Sequence, residues 1–267
     1  MIFTVLQIKI MQNLKKFTFF LLPVVLIIAG CNILEKTPLS HQEIEQIVQK
    51  EYPLQTDAEL DYLLIPPNAF KPQKNYPLFV FMHGLQSCAT CVLQANYELF
   101  TRQNFYILIP QAPERVKKGY SWYNRRGKSF LKDLERSETA IVSLVEHVIK
   151  KRRIDVGTIV LSGFSQGGRL TYYIGLKNPS LFSELVPIGG VFMEEQLQSY
   201  LVDARGDFKI SIKHGQDDDI HPVDNAKQAY ELLELMGFDV TLDVYPVKHT
   251  YTDDMLLGVF HPLNEKN

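Results

Sequence analysis

Short apolar runs alternate along the chain with longer segments in which apolar residues recur every three or four positions. The longer spacing is typical of a helix with one buried face, and short apolar runs are typical of strands. The runs predict strands at 60–65, 78–82, 105–109, 158–161, 185–188, 210–213 and 240–245. The longer segments predict helices at 92–102, 131–151, 168–177 and 224–236. Strands and helices therefore alternate through most of the chain.

Three of the predicted strands, at 78–82, 105–109 and 158–161, are continuous apolar runs instead of alternating ones. Strands of this kind are buried on both faces, as in parallel sheets whose connections are helices. The pattern therefore predicts an α/β fold in a single domain, with a mostly parallel sheet and helices on both of its faces. We find no internal repeat and no low-complexity tract.

The first 30 residues differ from the rest of the chain. They hold three lysines and no acidic residue, and positions 17–29 are apolar except for Thr18. This run is shorter than the roughly 20 residues that a membrane-spanning helix needs, but it suits an export signal. The sequence Leu-Ile-Ile-Ala-Gly-Cys at 26–31 resembles the lipobox of bacterial lipoproteins, which implies cleavage before Cys31 and acylation of that cysteine. An ordinary cleaved signal or a single anchoring helix is the alternative, and Met11 is an alternative start.

We therefore predict a lipoprotein signal peptide at 1–30, a tether with a short helix at 31–58, and the α/β domain at 59–267. Ser40 and Glu43 have the spacing of a capping box, which indicates where the short helix begins. A lipid on Cys31 implies a location in the cell envelope. Asn32 permits sorting to the outer membrane if the host has one.

Composition and charge limit the partners to be expected. The chain is 46% hydrophobic and 22% charged, which is typical of a globular protein and not of disordered, collagen-like or polytopic membrane classes. The formal net charge is -2, and removal of residues 1–30 with their three lysines takes it to -5. Basic runs are short, so nucleic acid is not an expected partner. Membrane attachment is expected to depend on the acyl chains at Cys31 alone.

A candidate nucleophile follows the predicted strand at 158–161. The sequence at 163–168 is Gly-Phe-Ser-Gln-Gly-Gly, and a predicted helix comes directly after it. On such a turn a serine is held in a strained backbone conformation that exposes its hydroxyl, and the residues two before and two after it must be small. Gly163 and Gly167 meet that need, so Ser165 is the predicted nucleophile.

Five further motifs accompany the serine motif at 163–168. They are Phe-Met-His-Gly-Leu at 81–85, Pro-Gln-Ala-Pro at 110–113, Ser-Trp-Tyr at 121–123, His-Gly-Gln-Asp-Asp at 214–218 with Pro222, and Tyr-Pro at 245–246 before His249. In these motifs and in their order, from about residue 60 to 255, the chain resembles α/β-hydrolases of the phospholipase/carboxylesterase family, which includes acyl-protein thioesterases and small bacterial carboxylesterases.

A serine nucleophile needs a base, and the base needs a group that orients it. In α/β-hydrolases the acid follows the serine along the chain, and the histidine follows the acid. His249 directly follows the last predicted strand and is the predicted base, with His261 as the alternative. Asp217–Asp219 lie on one loop, and the residues alone do not choose among them. The family's spacing implies that Asp218 is the acid.

Three other histidines are assigned no chemical role. His83 and His214 end predicted strands in His-Gly turns and are expected to shape loops. His221 follows the acid so closely that it is not expected to reach across the loop. Trp122, the only tryptophan, either lies near the acyl pocket, as a similar family residue does, or is a partly buried surface aromatic.

The oxyanion of an acyl-transfer intermediate needs two main-chain N–H donors. In this fold one donor follows the nucleophile and the other comes from the loop after the third strand of the common core. These positions are Gln166 and Leu85 here. The resemblance leaves acyl-chain preference to loops such as 116–128, whose shape the sequence does not reveal.

The chain departs from the family after Leu85, where Cys88 and Cys91 lie in place of a Gly-Asp-Ser-like turn. A C-x-x-C pair can be a redox pair, half a zinc site, a disulfide or two free thiols. No second cysteine pair and no thioredoxin-like strand context is present, and export to an oxidising compartment favours a disulfide. Such a bridge would rigidify the loop that carries Leu85. The loop before His249 also differs from the family's pattern, because Val247 and Lys248 replace the small residues that are common there.

These features together predict a lipid-anchored serine hydrolase that cleaves carboxylic esters, of the carboxylesterase or lysophospholipase kind, through an acyl-enzyme on Ser165. An acyl thioesterase, a serine peptidase and a polyester depolymerase are alternatives on the same fold. A non-catalytic envelope lipoprotein is the alternative from another class. The expected substrate is a small-molecule or lipid ester, and the resemblance implies no metal and no cofactor.

Overall fold

Strands and helices alternate through the computed structural model, which describes residues 38–124, 129–192 and 208–265. The strands are β1 (Tyr62–Ile65), β2 (Tyr76–Met82), β3 (Tyr106–Pro110), β4 (Glu114–Val116), β5 (Gly119–Ser121), β6 (Ile154–Phe164), β7 (Glu184–Ile188), β8 (Lys209–Gly215) and β9 (Asp239–Tyr245). The helices are α1 (His41–Glu51), α2 (Ala89–Ala95), α3 (Tyr97–Phe100), α4 (Phe130–Lys151), α5 (Gln166–Lys177), α6 (Val223–Leu235) and α7 (Asp253–Glu265). All seven predicted strands are present.

One sheet contains seven of these strands in the order β1-β3-β2-β6-β7-β8-β9. β1 is antiparallel to β3, and every other pair of neighbours is parallel. Parallel strands end at the same edge of a sheet, and ligands bind at that carboxyl edge in folds of this class. The loops that follow β2, β6, β8 and β9 therefore share one edge, and they carry the motifs singled out in the sequence.

The two faces of the sheet belong to two apolar cores. In β2, Leu78, Val80 and Met82 face a core shared with α4, α5 and α6, whereas Phe79 and Phe81 face a core shared with α1, α2, α3 and α7. All seven residues of β2 are buried. Because helices cover both faces, a buried strand is apolar at each position, which explains the continuous runs in the sequence.

Three features of the described residues differ from the sequence-based expectation. The single helix predicted at 92–102 is wrong, because the helix breaks at Asn96, whose Nδ2 donates to Val92 O and to Tyr251 Oη. Helix α7 has no counterpart in the prediction. Its buried residues recur at helical spacing, but Pro262 lacks the N–H that a residue within a helix donates. The β4–β5 hairpin is also absent from the prediction.

The described residues include no helix with the length and apolar character needed to cross a bilayer. The predicted signal peptide and Cys31 lie outside the described residues. The short helix predicted in the tether is present as α1, which begins at His41, directly after Ser40.

A disulfide joins Cys88 and Cys91 where α2 begins. Cys88 is the N-cap residue of α2, and its Sγ accepts a hydrogen bond from the Cys91 N–H at 3.0 Å. The β4–β5 hairpin holds the same loop from the other side, because Gln86 N donates to Tyr120 O and Tyr120 N donates to Ser87 O, each at 2.9 Å. The loop after β2 is therefore fixed by one covalent bond and two main-chain hydrogen bonds.

We expect the disulfide to be present in the protein purified from an oxidising compartment. Alkylation without prior reduction should leave Cys88 and Cys91 unmodified in the mass spectrum, and alkylation after reduction should modify both. The C91S variant, whose Cys88 has no partner in the loop, is the control for access of the reagent. Recovery of both cysteines as alkylated thiols from the unreduced protein would contradict the bridge.

Candidate active site

Ser165 lies on the turn between β6 and α5 in a conformation that side chains rarely adopt. Its φ is 55° and its ψ is −109°, and a non-glycine residue held in such a region costs about 1–3 kcal/mol. Its N–H donates to Ile188 O on the neighbouring strand at 2.9 Å. The turn also approaches β2 so closely that a Cβ on Gly167 would lie 2.1 Å from Met82 O. The small residues predicted around Ser165 are therefore required by main-chain contact.

Three side chains from separate loops form a continuous chain of hydrogen bonds. His249 Nε2 lies 2.9 Å from Ser165 Oγ, and His249 Nδ1 lies 2.7 Å from Asp218 Oδ2. Because an ionised carboxylate only accepts, Nδ1 carries the proton of the neutral imidazole. Nε2 is then free to accept the Ser165 hydroxyl proton, which is the arrangement that activates a serine as a nucleophile.

The Asp218 carboxylate is almost fully buried, with its side chain 1% exposed, and is surrounded by donors. Its Oδ1 accepts from the N–H groups of Ile220 at 2.9 Å and His221 at 2.7 Å, and its Oδ2 accepts from His249. Burial raises the pKa of Asp218, but the His221 N–H, the His249 side chain and the Ile220 N–H outweigh it, so that the pKa lies below its usual value. Asp218 is therefore a carboxylate at neutral pH.

The other candidates for acid and base lie away from this chain of hydrogen bonds. Asp217 and Asp219 are exposed on the same loop, and Asp219 Oδ2 lies 3.9 Å from Lys248 Nζ. His261 is on α7, where its side chain is 77% exposed and pairs with Glu265. Of the alternatives left open by the sequence, the structure therefore brings only Asp218 and His249 to Ser165.

The loops that carry the acid and the histidine are bonded to each other. Gln216 N donates to Tyr245 O at 2.7 Å and Asp217 N donates to Val247 O at 3.0 Å. A Cβ on Gly215 would lie 2.4 Å from the main-chain oxygen of Val247, so the two loops touch through their backbones. Main-chain contact fixes the separation of Asp218 and His249 whatever side chains occupy 247 and 248.

The two predicted oxyanion donors lie on either side of Ser165. Gln166 is the first residue of α5, where main-chain N–H groups have no acceptor within their own helix. Gly84 lies against the nucleophile, since a Cβ added to it would be 3.5 Å from Ser165 Cβ, and Leu85 follows it. Both residues are therefore neighbours of the predicted nucleophile, as the predicted oxyanion role requires.

His83 fixes the peptide that contains the Leu85 N–H. Its Nε2 accepts from Ala112 N at 3.2 Å, so its proton is on Nδ1, which donates to Gly84 O at 2.8 Å. Burial lowers the pKa of His83 to about 4, so the ring is neutral at neutral pH. In a trans peptide the N–H points opposite to the C=O. The bond to Gly84 O therefore turns the Leu85 N–H away from His83, a role for this histidine that the sequence did not reveal.

The side chain of Gln166 holds the segment around Trp122. Its Oε1 accepts from Trp122 N at 3.0 Å, and its Nε2 donates to Ser121 Oγ and to Tyr123 O, each at 3.0 Å. Trp122 is fully buried and its Nε1 donates to His83 O at 2.8 Å. The expectation of a partly buried surface aromatic is wrong, because the indole packs inside the core and bonds to the main chain beside the site.

A cleft of about 920 Å³ opens beside Leu85 and Gln166, the two predicted oxyanion donors. Its walls come from the loop after β2, the β4–β5 hairpin, the segment that follows β5 and the start of α4. The lining residues are Leu85, Glu114, Val116, Ser121, Tyr123, Asn124, Ser129, Asp133 and Gln166. The volume is within the range of about 300–1,000 Å³ usual for small-molecule sites. Part of the predicted specificity loop, 116–124, therefore borders this cleft, whereas 125–128 lie outside the described residues.

Two further histidines lie at the site, although the sequence assigned them no such place. His214 Nε2 lies 2.7 Å from His221 O and 3.3 Å from Asp218 Oδ2. The ring of His221 meets the ring of His249 edge to face, with 4.9 Å between centroids. The one local signal is that His221 lies three residues after Asp218, a spacing at which a carboxylate accepts main-chain N–H groups. In the part of the chain that the structure describes, no three His, Cys, Asp or Glu side chains are placed to hold a metal ion.

Comparisons with known proteins identify the family of the chain. A profile of the phospholipase/carboxylesterase family matches residues 69–265. Acyl-protein thioesterase 1 homolog 2 of Dictyostelium discoideum is 32% identical over 155 residues, which cover 53% of this chain and 69% of that protein. Acyl-protein thioesterase 1 of Gibberella zeae is 27% identical over 188 residues, which cover 62% of this chain and 80% of that protein.

Solved structures with the same fold include esterases. Esterase PE8 superposes with a TM-score of 0.64 at 21% identity over 78% of this chain and 99% of its own. A carboxylesterase from Mesorhizobium loti superposes with a TM-score of 0.64 at 17% identity over 79% and 98%. These likenesses and the profile confirm the predicted α/β-hydrolase fold. The family profile covers most of the chain, which therefore belongs to the phospholipase/carboxylesterase family of α/β-hydrolases and is a serine hydrolase that acts on esters.

Proposed function

We propose that the protein cleaves its ester through an acyl-enzyme on Ser165, with His249 as the base and Asp218 as the group that orients it. The observation that carries this assignment is the unbroken chain of hydrogen bonds from Ser165 Oγ through the imidazole to the buried carboxylate. The strained backbone of Ser165 supports it, since such strain is typical of functional residues.

The proposed reaction has two halves. Ser165 Oγ attacks the acyl carbon while its proton moves to His249 Nε2, and the Leu85 and Gln166 N–H groups stabilise the oxyanion. Asp218 stabilises the imidazolium, which then protonates the leaving alcohol. Water, deprotonated by the same imidazole, attacks the acyl-enzyme, and the bond from the acyl carbon to Ser165 Oγ breaks as the imidazolium returns its proton to Oγ and the acid is released. The ping-pong order follows from the covalent intermediate.

The second candidate substrate is a thioester, and the likeness to acyl-protein thioesterases favours it. The same residues serve both reactions, because only the leaving atom changes from oxygen to sulfur. A panel of oxygen and sulfur esters of graded acyl length, compared by kcat/KM, distinguishes the two.

We propose that the cleft beside Leu85 and Gln166 receives part of the substrate, so the preferred acyl length should change when Val116 or Tyr123 is altered.

We also propose that residues 1–30 are a lipoprotein signal, that Cys31 carries acyl chains, and that residues 31–58 tether the α/β domain to a membrane of the cell envelope. The support is the lipobox-like sequence at 26–31, which lies at the end of an apolar run preceded by three lysines. Two or more acyl chains suffice for stable anchoring.

Replacing Ser165 with alanine should lower kcat/KM for a short p-nitrophenyl ester by at least about 10³-fold, because the covalent route is lost. A fluorophosphonate probe should label the wild-type protein and leave S165A unlabelled. Circular dichroism of both proteins controls for folding. Retained hydrolysis in S165A would refute the assignment of the nucleophile, and the absence of labelling in the wild type would favour a non-catalytic envelope protein.

The proposed oxyanion role of Leu85 depends on its main chain and not on its side chain, which is 53% exposed. The variant L85A keeps the N–H and should retain most of the wild-type kcat. The variant L85P lacks the N–H and should lose about 10²–10³-fold in kcat, the usual cost of removing one oxyanion donor. Equal activities of L85A and L85P, measured on the same ester, would show that this N–H is not a donor.

If Cys31 carries a lipid anchor, expression in a bacterial host that processes lipoproteins should show it by labelling and by fractionation. The full-length protein should incorporate labelled palmitate and sediment with membranes, whereas C31S should do neither. The double variant C88S/C91S should still incorporate the label, which shows that acylation requires Cys31 in particular. A full-length protein without lipid would mean that the signal is of another kind.

A further inference from the structure

We propose that His221 is a positioning residue for His249 and that it acts by holding the Gly189 carbonyl, which fixes the backbone against which the His249 ring packs. This inference rests on the proposed function, because it assigns a role in the proton transfer of that same site. It concerns a side chain outside the set formed by Ser165, His249 and Asp218.

The side chain of His221 makes one directed hydrogen bond. Its Nδ1 lies 2.8 Å from Gly189 O, on the loop after β7. A carbonyl oxygen only accepts, so Nδ1 is the protonated nitrogen and donates. The main chain of His221 is fixed as well, because its N–H donates to Asp218 Oδ1 at 2.7 Å and its C=O accepts from His214 Nε2 at 2.7 Å. The His221 imidazole therefore extends from a backbone that is hydrogen-bonded to Asp218.

Gly189 connects this hydrogen bond to the base. A Cβ added to Gly189 would lie 3.6 Å from His249 Cε1 and 3.2 Å from Phe164 Cε2, so the Gly189 backbone lies beside both rings, with room for no more than a side-chain carbon between them. Gly189 has a φ of 56°, in the left-handed region, and its N–H donates to Lys213 O at 2.9 Å. Without a side chain to pack, this residue is held by its two main-chain bonds, of which His221 supplies one.

His249 needs such a support during the reaction. Its ring gains a proton from Ser165 and must then present that proton to the leaving group, so its orientation has to persist while its charge changes. The hydrogen bond to Asp218 fixes the position of His249 Nδ1, but the tilt of the imidazole ring depends on the groups that pack against it. Those neighbours are the Phe164 ring at 4.9 Å between centroids, the Gly189 backbone, and the edge-to-face ring of His221.

The His221 ring is uncharged at neutral pH, which is compatible with its position against the His249 ring. Burial lowers the pKa of His221 and outweighs the bond to Gly189, which raises it. The charged or titratable groups that act on the ring are His249 on the neighbouring loop, Asp218 on the same loop as His221, and Arg169 on α5. A neutral ring adds no repulsion to the imidazolium that forms beside it, while its Nδ1–H still holds the carbonyl.

The test compares two variants that separate the hydrogen bond from the ring. In H221N the amide nitrogen replaces Nδ1 as a donor to Gly189 O, and in H221F an aromatic ring remains but the donor is lost. We expect H221N to retain at least about a third of the wild-type kcat and H221F to lose about 10-fold or more, because small displacements of a catalytic group reduce turnover strongly. KM for a short soluble ester should stay within about twofold in both, since no contact of His221 with substrate is invoked.

Three measurements make the outcome decisive. The rate of fluorophosphonate labelling should fall in H221F by the same factor as kcat, and H261F, at an exposed histidine on α7, should behave as wild type. Melting curves identify a variant that does not fold, and H221L then replaces H221F. Wild-type kcat in H221F, or equal losses in H221N and H221F, would overturn the inference. Failure of the wild type to react with the probe would overturn the proposed function first, and the role of His221 with it.

Discussion

The active site depends on the contact between the turn at Ser165 and the main chain of β2. Gly163 and Gly167 allow the turn to lie on Met82 O, where a single added carbon would collide. This contact holds Ser165 in a conformation that it would not adopt by itself, and it sets the first turn of α5 beside Gly84. Backbone packing therefore arranges the predicted nucleophile, the N-terminus of α5 and the loop after β2, and the side chains of the site extend from these segments.

Most of the fold could be predicted because strands that are buried on both faces of the sheet are continuous apolar runs in the sequence. β2, β3 and β6 are apolar runs since helices cover both sides of the sheet, and their order along the chain follows. Ser165 and His249 could be selected from strand ends alone. Asp218 could not, because three carboxylates share its loop, and the family's spacing was needed to prefer the one that the structure brings to His249.

The features that could not be predicted from the sequence depend on contacts between residues that are distant along the chain. Gln166 bonds to residues about 45 positions away, and His221 bonds to Gly189 at a separation of 32. The β4–β5 hairpin is recognisable only by its contacts with the loop after β2, since its strands have three residues each. The disulfide could be favoured from the expected compartment, but its position at the cap of α2 required the structure.

Gln166 is bound to two parts of the site at once. Its main chain begins the helix behind the nucleophile, and its side chain holds the peptide groups of Trp122 and Tyr123, from which one wall of the cleft is built. Under the proposed function, a single residue thus contributes both to the substrate range and to the rate. If the cleft holds the acyl group as proposed, redesign for bulkier acids is best begun at Val116 or Glu114 on the hairpin, because a change in the Tyr123 backbone would be transmitted through Gln166 to the turn at Ser165.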